Sequence, residues 1–135
     1  MSQVALILDT SALIGYARLD AASRAVGGLL TTVAKSPPAI VGIPAAAYLA
    51  ACWELDEPQH DLLRALVTDA ERVVEFLPLL GPDTDSAASW DVDLRRQGLG
   101  HAIIETLRHG AALATLQADV VGRALADDSI VDLSV

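Results

Sequence analysis

The chain has 135 residues, 53% of them apolar, with nine Lys and Arg against eighteen Asp and Glu, for a formal net charge of −9. That length suits one ordinary domain with its own core, and the acidic balance counts against broad nucleic-acid binding while leaving room for a local site where a divalent cation inverts the charge. A single cysteine, Cys52, excludes an internal disulfide and fits a reducing compartment.

Aromatic residues make up only 4%, so the core is expected to be built from Ala, Val, Leu and Ile. The N-terminus lacks a basic segment, and Asp9 interrupts its apolar stretch, so no signal peptide is expected. There is no apolar run of the roughly 18 residues that a membrane span needs. The expectation is a cytoplasmic protein.

In chain order, Val4–Leu8 is a continuous apolar run, as in a strand covered on both faces. Asp20 to Ala34 reads as a helix with Asp20 as its N-cap and Gly27-Gly28 as a weak point or break. "SPPAIVGIP" gives a turn and a strand, Ile40–Ile43, and Pro44 suits the first turn of a helix running to about Leu55. A further helix starts near Pro58. Val73–Leu77 is a short strand stopped by Pro78. Asp83 or Asp85 caps a helix containing Trp90 and Leu94. "GLGHAIIETLRHG" is a helix with Gly110 as its C-cap. "AALAT" is a strand, Ala118–Leu125 a short helix, and "SIVDL" a last strand.

No repeat, low-complexity tract or linker divides the chain, so residues 1–135 form one domain. Strands alternating with helices imply an α/β fold with a mainly parallel sheet of four or five strands. In such sheets ligands bind at the carboxyl ends of the strands. Asp9 stands at one such end and Thr115 at another.

These stretches carry a family likeness. "ILDTSALIGYAR" resembles the opening of a PIN domain, the fold of VapC-type toxin ribonucleases: a strand ending in Asp, two small polar residues, then a short apolar helix. "AIVGIPAAAYLAA" resembles the second strand and its helix. "GLGHAIIETLRHGAALATLQAD" resembles the late helix, Gly turn and strand ending in Thr, and "SIVDL" the closing strand. The likeness covers nearly the whole chain and implies a three-layer α/β/α fold.

The resemblance also implies three or four carboxylates that hold Mg²⁺ or Mn²⁺, which activates water and stabilises charge on phosphate. Asp9 falls on the first acidic position, and Thr10 and Ser11 on the hydroxyl positions beside it. The second acidic position falls on Ala50, the third on His101 and the fourth on Gln117. One carboxylate of four remains. Thr10, Ser11, Thr115 and Gln117 are the residues expected to touch substrate.

Nearby groups offer substitutes. Glu54 lies four residues beyond Ala50, about 40° round a helix and about 6 Å along it. Glu105 is one turn after His101 and shares its face. Asp119 is two residues beyond Gln117, and Asp91 and Asp93 precede the late helix. A rebuilt site would use Asp9, His101 and Glu105 for chemistry, with Asp9 and Asp119 on the metal, and a histidine ligand would suit Mn²⁺ or Zn²⁺ better than Mg²⁺. The other reading has His101 hydrogen-bonded to Asp9 or to a backbone group, and Asp9 capping the next helix.

Other candidates are thin. Cys52 beside Trp53 reads as a core thiol. His60 and His109 read as surface or helix-end residues. Gly27-Gly28 and the "GLG" at 98–100 lack phosphate-loop spacing. Arg95 and Arg96 form a small basic pair near the site entrance, meeting either phosphate or surface acids.

Two functions follow from the resemblance. One is a PIN-like protein with weak or lost nuclease activity and a binding or regulatory role. The other is an active Mn²⁺- or Mg²⁺-dependent ribonuclease, the toxin of a pair with an antitoxin-like protein partner. A third reading takes the likeness as one of fold alone. RNA is the implied ligand. The small, apolar "PAAAYLAACW" helix, or the one after it, is expected either to form a homodimer or to pack on the sheet.

Overall fold

The computed structural model describes residues 3–68 and 73–134. Five strands form its sheet: β1 (Gln3–Leu8), β2 (Ala39–Pro44), β3 (Val74–Leu77), β4 (Ala112–Thr115) and β5 (Ile130–Asp132). Seven helices connect them: α1 (Thr10–Ala17), α2 (Ala21–Ala34), α3 (Ala45–Cys52), α4 (Glu57–Thr68), α5 (Thr84–Leu94), α6 (Leu99–His109) and α7 (Ala118–Val121). All strand pairs are parallel, in the order β3-β2-β1-β4-β5. The order reverses between β1 and β4. That reversal is where an open parallel sheet leaves a crevice at its carboxyl edge.

The sheet is covered on both faces, which is why its central strands read as unbroken apolar runs. Leu6, Leu8, Val41, Ile43 and Ala114 pack with α1, α2, α3 and α4. Val4, Ile7, Ile40, Leu77 and Leu113 pack with α5, α6 and α7. Val4 and Ile7 are three residues apart yet share a face. A bulge in the β1–β2 register between Val4 and Leu6 makes this possible, and leaves Ala5 exposed.

Local chemistry sets the helix ends. Asp20 caps α2 by accepting the Ala22 N–H at 2.9 Å. The helix runs through Gly27 and Gly28 without the expected break. Helix α3 ends at Cys52 rather than near Leu55 because a new start competes with it. Asp56 accepts the Gln59 N–H at 2.9 Å while Gln59 accepts the Asp56 N–H at 3.1 Å, a reciprocal cap that opens α4. Helix α4 is the one expected to start near Pro58, and residues 69–72, which follow it, lie outside the described residues. Helix α7 is shorter than expected and turns at Gly122. Asp83 stands at the head of α5 without capping it, its carboxylate being taken by Arg108 instead. Among the described residues, no helix is long and apolar enough to cross a membrane.

The tightest packing lies where α6 starts. Gly98 has φ +83, and a Cβ there would stand 2.8 Å from Ala46 O, Ala47 Cα and Thr10 Oγ1. A Cβ at Gly100 would stand 2.0 Å from the Ala87 carbonyl oxygen. The "GLG" stretch is therefore the crossing point of α6 with α1, α3 and α5. Gly100→Ala should destabilise the fold by about 2 kcal/mol or more, because backbone on both sides must move. Gly28→Ala, in the interior of α2 with nothing within 4 Å, should stabilise it by about 0.5–1 kcal/mol. Urea midpoints of the two variants check both signs.

Candidate functional site

Asp9 follows β1 and is 1% exposed. One oxygen, Oδ1, accepts the Ala12 N–H at 2.9 Å and the Ser11 hydroxyl at 2.7 Å. Asp9 is thus the N-cap of α1. Its Oδ2 is buried without a partner. The Ser11 oxygen also accepts the Leu116 N–H at 2.9 Å, and the Thr115 oxygen accepts the Gln117 N–H at 2.9 Å. Ser11 spends its one proton on Asp9. The Thr115 hydroxyl, 3.3 Å from the Ser11 oxygen, turns its one proton either to Ser11 or to Asp9. A chain of hydroxyls ties the end of β4 to Asp9. Burial lifts the Asp9 carboxyl above its ordinary value, and the Thr115 and Ser11 hydroxyls pull it back less strongly.

His101 lies in the first turn of α6 and is also 1% exposed. Its Nδ1 accepts the Ala46 N–H at 3.2 Å. Helix α3 begins at Pro44, which offers no capping side chain. A histidine from another helix thus takes one of its unpaired N–H groups. Because Nδ1 accepts, the proton of the neutral ring is on Nε2. Nε2 stands 3.7 Å from Glu105 Oε1. Burial holds the ring below its ordinary pKa, against the pull of Glu105 and the Pro78 carbonyl.

Glu105 is 3% exposed and committed elsewhere. One oxygen accepts from Arg108, and the other lies 3.2 Å from His109 Nε2. Arg108 also donates to Asp83, so the acid fastens α6 to the segment before α5. Asp119 is exposed in the first turn of α7, and Asp93 is exposed on α5. Asp91 is the unexpected member. Its two oxygens accept the Gly98 N–H at 2.9 Å and the Gly100 N–H at 2.6 Å, capping α6 from α5. An Asp seven and nine residues ahead of two such glycines was the only sequence signal.

This donor set does not fit a divalent cation. Asp9 offers one oxygen, and that oxygen is sealed from solvent. Positions 50 and 117 carry Ala and Gln, and His101 Nδ1 is occupied by a backbone N–H. Among the described residues, no group of three or more His, Cys, Asp or Glu side chains is placed to hold an ion. Mg²⁺ and Mn²⁺ need several converging oxygens.

A cleft of about 580 Å³ nevertheless opens at the strand-order reversal. Thr10, Ser11, Ala50, Glu54 and Gln117 line it, whereas Asp9, His101, Glu105, Thr115 and Asp119 do not. Three arginines, Arg18, Arg95 and Arg96, line it with Trp53 and Gln97, as do the acids Asp20 and Glu54. Arg18 donates to the Glu54 carbonyl at 3.1 Å. Trp53 is 86% exposed. Arg18 was not singled out in the sequence, yet Ser11, Ile14 or Gly15, and Arg18 follow helical spacing on one face of α1. Trp53 and Glu54 likewise follow Ala50 by three and four residues.

Compared with models of protein families and with curated proteins, the chain matches none. The likeness to PIN domains therefore rests on the quoted residues.

In the folded chain Asp9 takes its proton at higher pH than in the unfolded chain. Stability therefore falls as pH rises from 3.8, its ordinary value, through the raised folded value. Asp9→Asn keeps the capping oxygen and removes the titration. Its denaturation midpoint should gain on the unmodified protein as pH rises from about 4 to about 7. His101, shifted in the opposite sense, is common to both proteins and cancels in the difference. Asp9→Ala should lose about 1 kcal/mol with the cap. A constant offset between Asp9→Asn and the unmodified protein across this range would contradict the burial account.

Proposed function

We propose that this chain is a PIN-like domain that binds single-stranded RNA and has lost metal-dependent cleavage. The observation that carries the reading is the fate of the polar groups at the strand ends. Asp9 and His101 each serve a helix N-terminus, and the two remaining acidic positions are Ala50 and Gln117. Among the described residues, no convergent carboxylates are left to activate water on a cation.

Binding draws on different residues. Arg18, Arg95 and Arg96 are three of the chain's nine basic residues, gathered at one cleft of a protein with net charge −9. Among the described residues, neither Arg95 nor Arg96 is in an ion pair. Guanidinium groups free of carboxylates are suited to phosphate oxygens. The surrounding acidic surface confines such binding to this cleft and discourages double-stranded nucleic acid lying broadly across the molecule.

One observation favours the second reading, an active Mn²⁺- or Mg²⁺-dependent ribonuclease of toxin type. The unpartnered Oδ2 of Asp9 is an oxygen that an ion would satisfy. Labelled single-stranded RNA, titrated with purified protein in excess EDTA and again in Mn²⁺ and Mg²⁺, separates the two. The expected result is salt-sensitive binding that survives EDTA, with identical background cleavage by the unmodified protein and by Asp9→Asn. Metal-dependent cleavage that disappears in Asp9→Asn would establish the ribonuclease instead.

A further inference from the structure

Arg95 ends α5 in the left-handed conformation, φ 56 and ψ 45. Its N–H closes back on the Asp91 carbonyl. This is the helix-ending position that glycine favours, because a Cβ there crowds the backbone. Gly110 ends α6 at φ 60 in the same manner. An arginine is thus held where glycine would be more comfortable. The Arg95 carbonyl accepts from the Arg96 guanidinium at 2.9 Å, but the Arg95 side chain itself is exposed and, among the described residues, makes no hydrogen bond or ion pair that would require an arginine there.

The main chain around Arg95 is firmly fixed. Asp91 binds the Gly98 and Gly100 N–H groups, the Arg96 N–H reaches the Asp91 carbonyl at 3.1 Å, and Thr10 donates to the Gln97 carbonyl at 3.1 Å. Residues 95–97 therefore form a rigid ridge. Two cavities share its residues. One is the cleft of about 580 Å³, and the other, about 380 Å³, lies along α5 beside Ala88 and Val92. Trp53 also lines the first.

Resting on the RNA-binding reading above, we propose that a single strand lies across this ridge from one cavity to the other, with its phosphates on Arg95 and Arg96 and a base on Trp53. Arg95 is then a ligand-binding residue kept at a position that weakens the fold. A single strand is the fitting occupant because its backbone bends over a ridge and its unpaired bases can stack. An exposed indole is a platform of the kind such proteins use, tolerant of base identity. Guanidinium groups on an immobile backbone lose little freedom when they meet phosphate.

The structure supplies its own control. Leu19, between α1 and α2, also has φ 56, and it lines neither cavity. Leu19→Gly relieves the same backbone crowding without touching the ridge.

The experiment measures binding of a fluorescein-labelled oligouridine by anisotropy, in EDTA and over a series of salt concentrations, with thermal melts of each protein. The proteins are the unmodified chain, Arg95→Gly, Leu19→Gly and Trp53→Ala. The expected result is that both glycine variants melt higher than the unmodified chain. Only Arg95→Gly loses affinity, and its slope of log affinity against log salt becomes shallower by about 0.7, the loss of one phosphate contact to a single strand. Trp53→Ala should lose about fivefold or more in affinity with its salt slope unchanged, as the loss of an uncharged stacking contact requires. An affinity and salt slope in Arg95→Gly equal to those of the unmodified chain would overturn the proposal while RNA binding stands. Absence of binding by the unmodified chain would overturn the functional reading itself, and this proposal with it. Equal binding of a polyglutamate of matched charge would replace the strand by an acidic peptide and remove Trp53's role.

Discussion

Three helices begin where the parallel strands end, and each begins with N–H groups that its own turn cannot satisfy. Meeting that demand in a nearly solvent-free crossing organises this part of the molecule. Asp9 serves α1 directly from the end of β1. His101 reaches from α6 to α3, whose own N-cap is the prolyl residue Pro44. Asp91 reaches from α5 to α6, whose own N-cap is Gly98. Helix α3 cannot cap itself because proline has no side-chain acceptor, and α6 cannot because a Cβ at Gly98 would meet α1 and α3. The same crowding that demands glycine at 98 and 100 thus demands an acceptor from elsewhere for α6.

This arrangement makes the cleft independent of the chemistry of the groups beneath it. The cleft is a consequence of strand order, which opens a crevice between β1 and β4 whatever side chains stand there. Beneath it, Asp9 Oδ1 and His101 Nδ1 are committed to backbone N–H groups, while Asp9 Oδ2 and His101 Nε2 are buried without partners. The groups left facing the opening are arginines, an indole, hydroxyls, amides and two carboxylates. Fold and site are therefore separable here, and the floor of the cleft contributes more to holding helices than to reacting with a ligand.

Much of the framework was readable from local signals. Val4–Leu8 and Ile40–Ile43 are apolar runs because both sheet faces are covered, and Asp20 and Gly110 mark helix ends by chemistry that acts within a few residues. The misread boundaries have equally local causes. The reciprocal cap of Asp56 and Gln59 outcompetes a longer α3, and two glycines in α2 face open space. The site was harder to read, because its decisive contacts join distant segments. Ser11 meets Thr115 across 104 positions and His101 meets Ala46 across 55. Sequence spacing placed His101 and Glu105 on one face, but the occupation of Glu105 by Arg108 and His109 depends on how α6 docks. Asp91 looked like one acid among several, since nothing short of the α5–α6 crossing reveals that two backbone N–H groups point at it.

The buried, half-satisfied carboxyl of Asp9 also shapes what single substitutions can do to this cleft. A cation centre needs several oxygens at once, and a lone new acid at position 50 or 117 would only add negative charge near a group that already resists ionisation. Replacing His101 with a shorter acid would withdraw the acceptor that holds the start of α3. Each first step towards a metal centre costs stability before any second step makes it useful. In evolutionary terms the cleft sits on one side of a fitness valley, and any route from it to metal-assisted chemistry requires several coordinated changes.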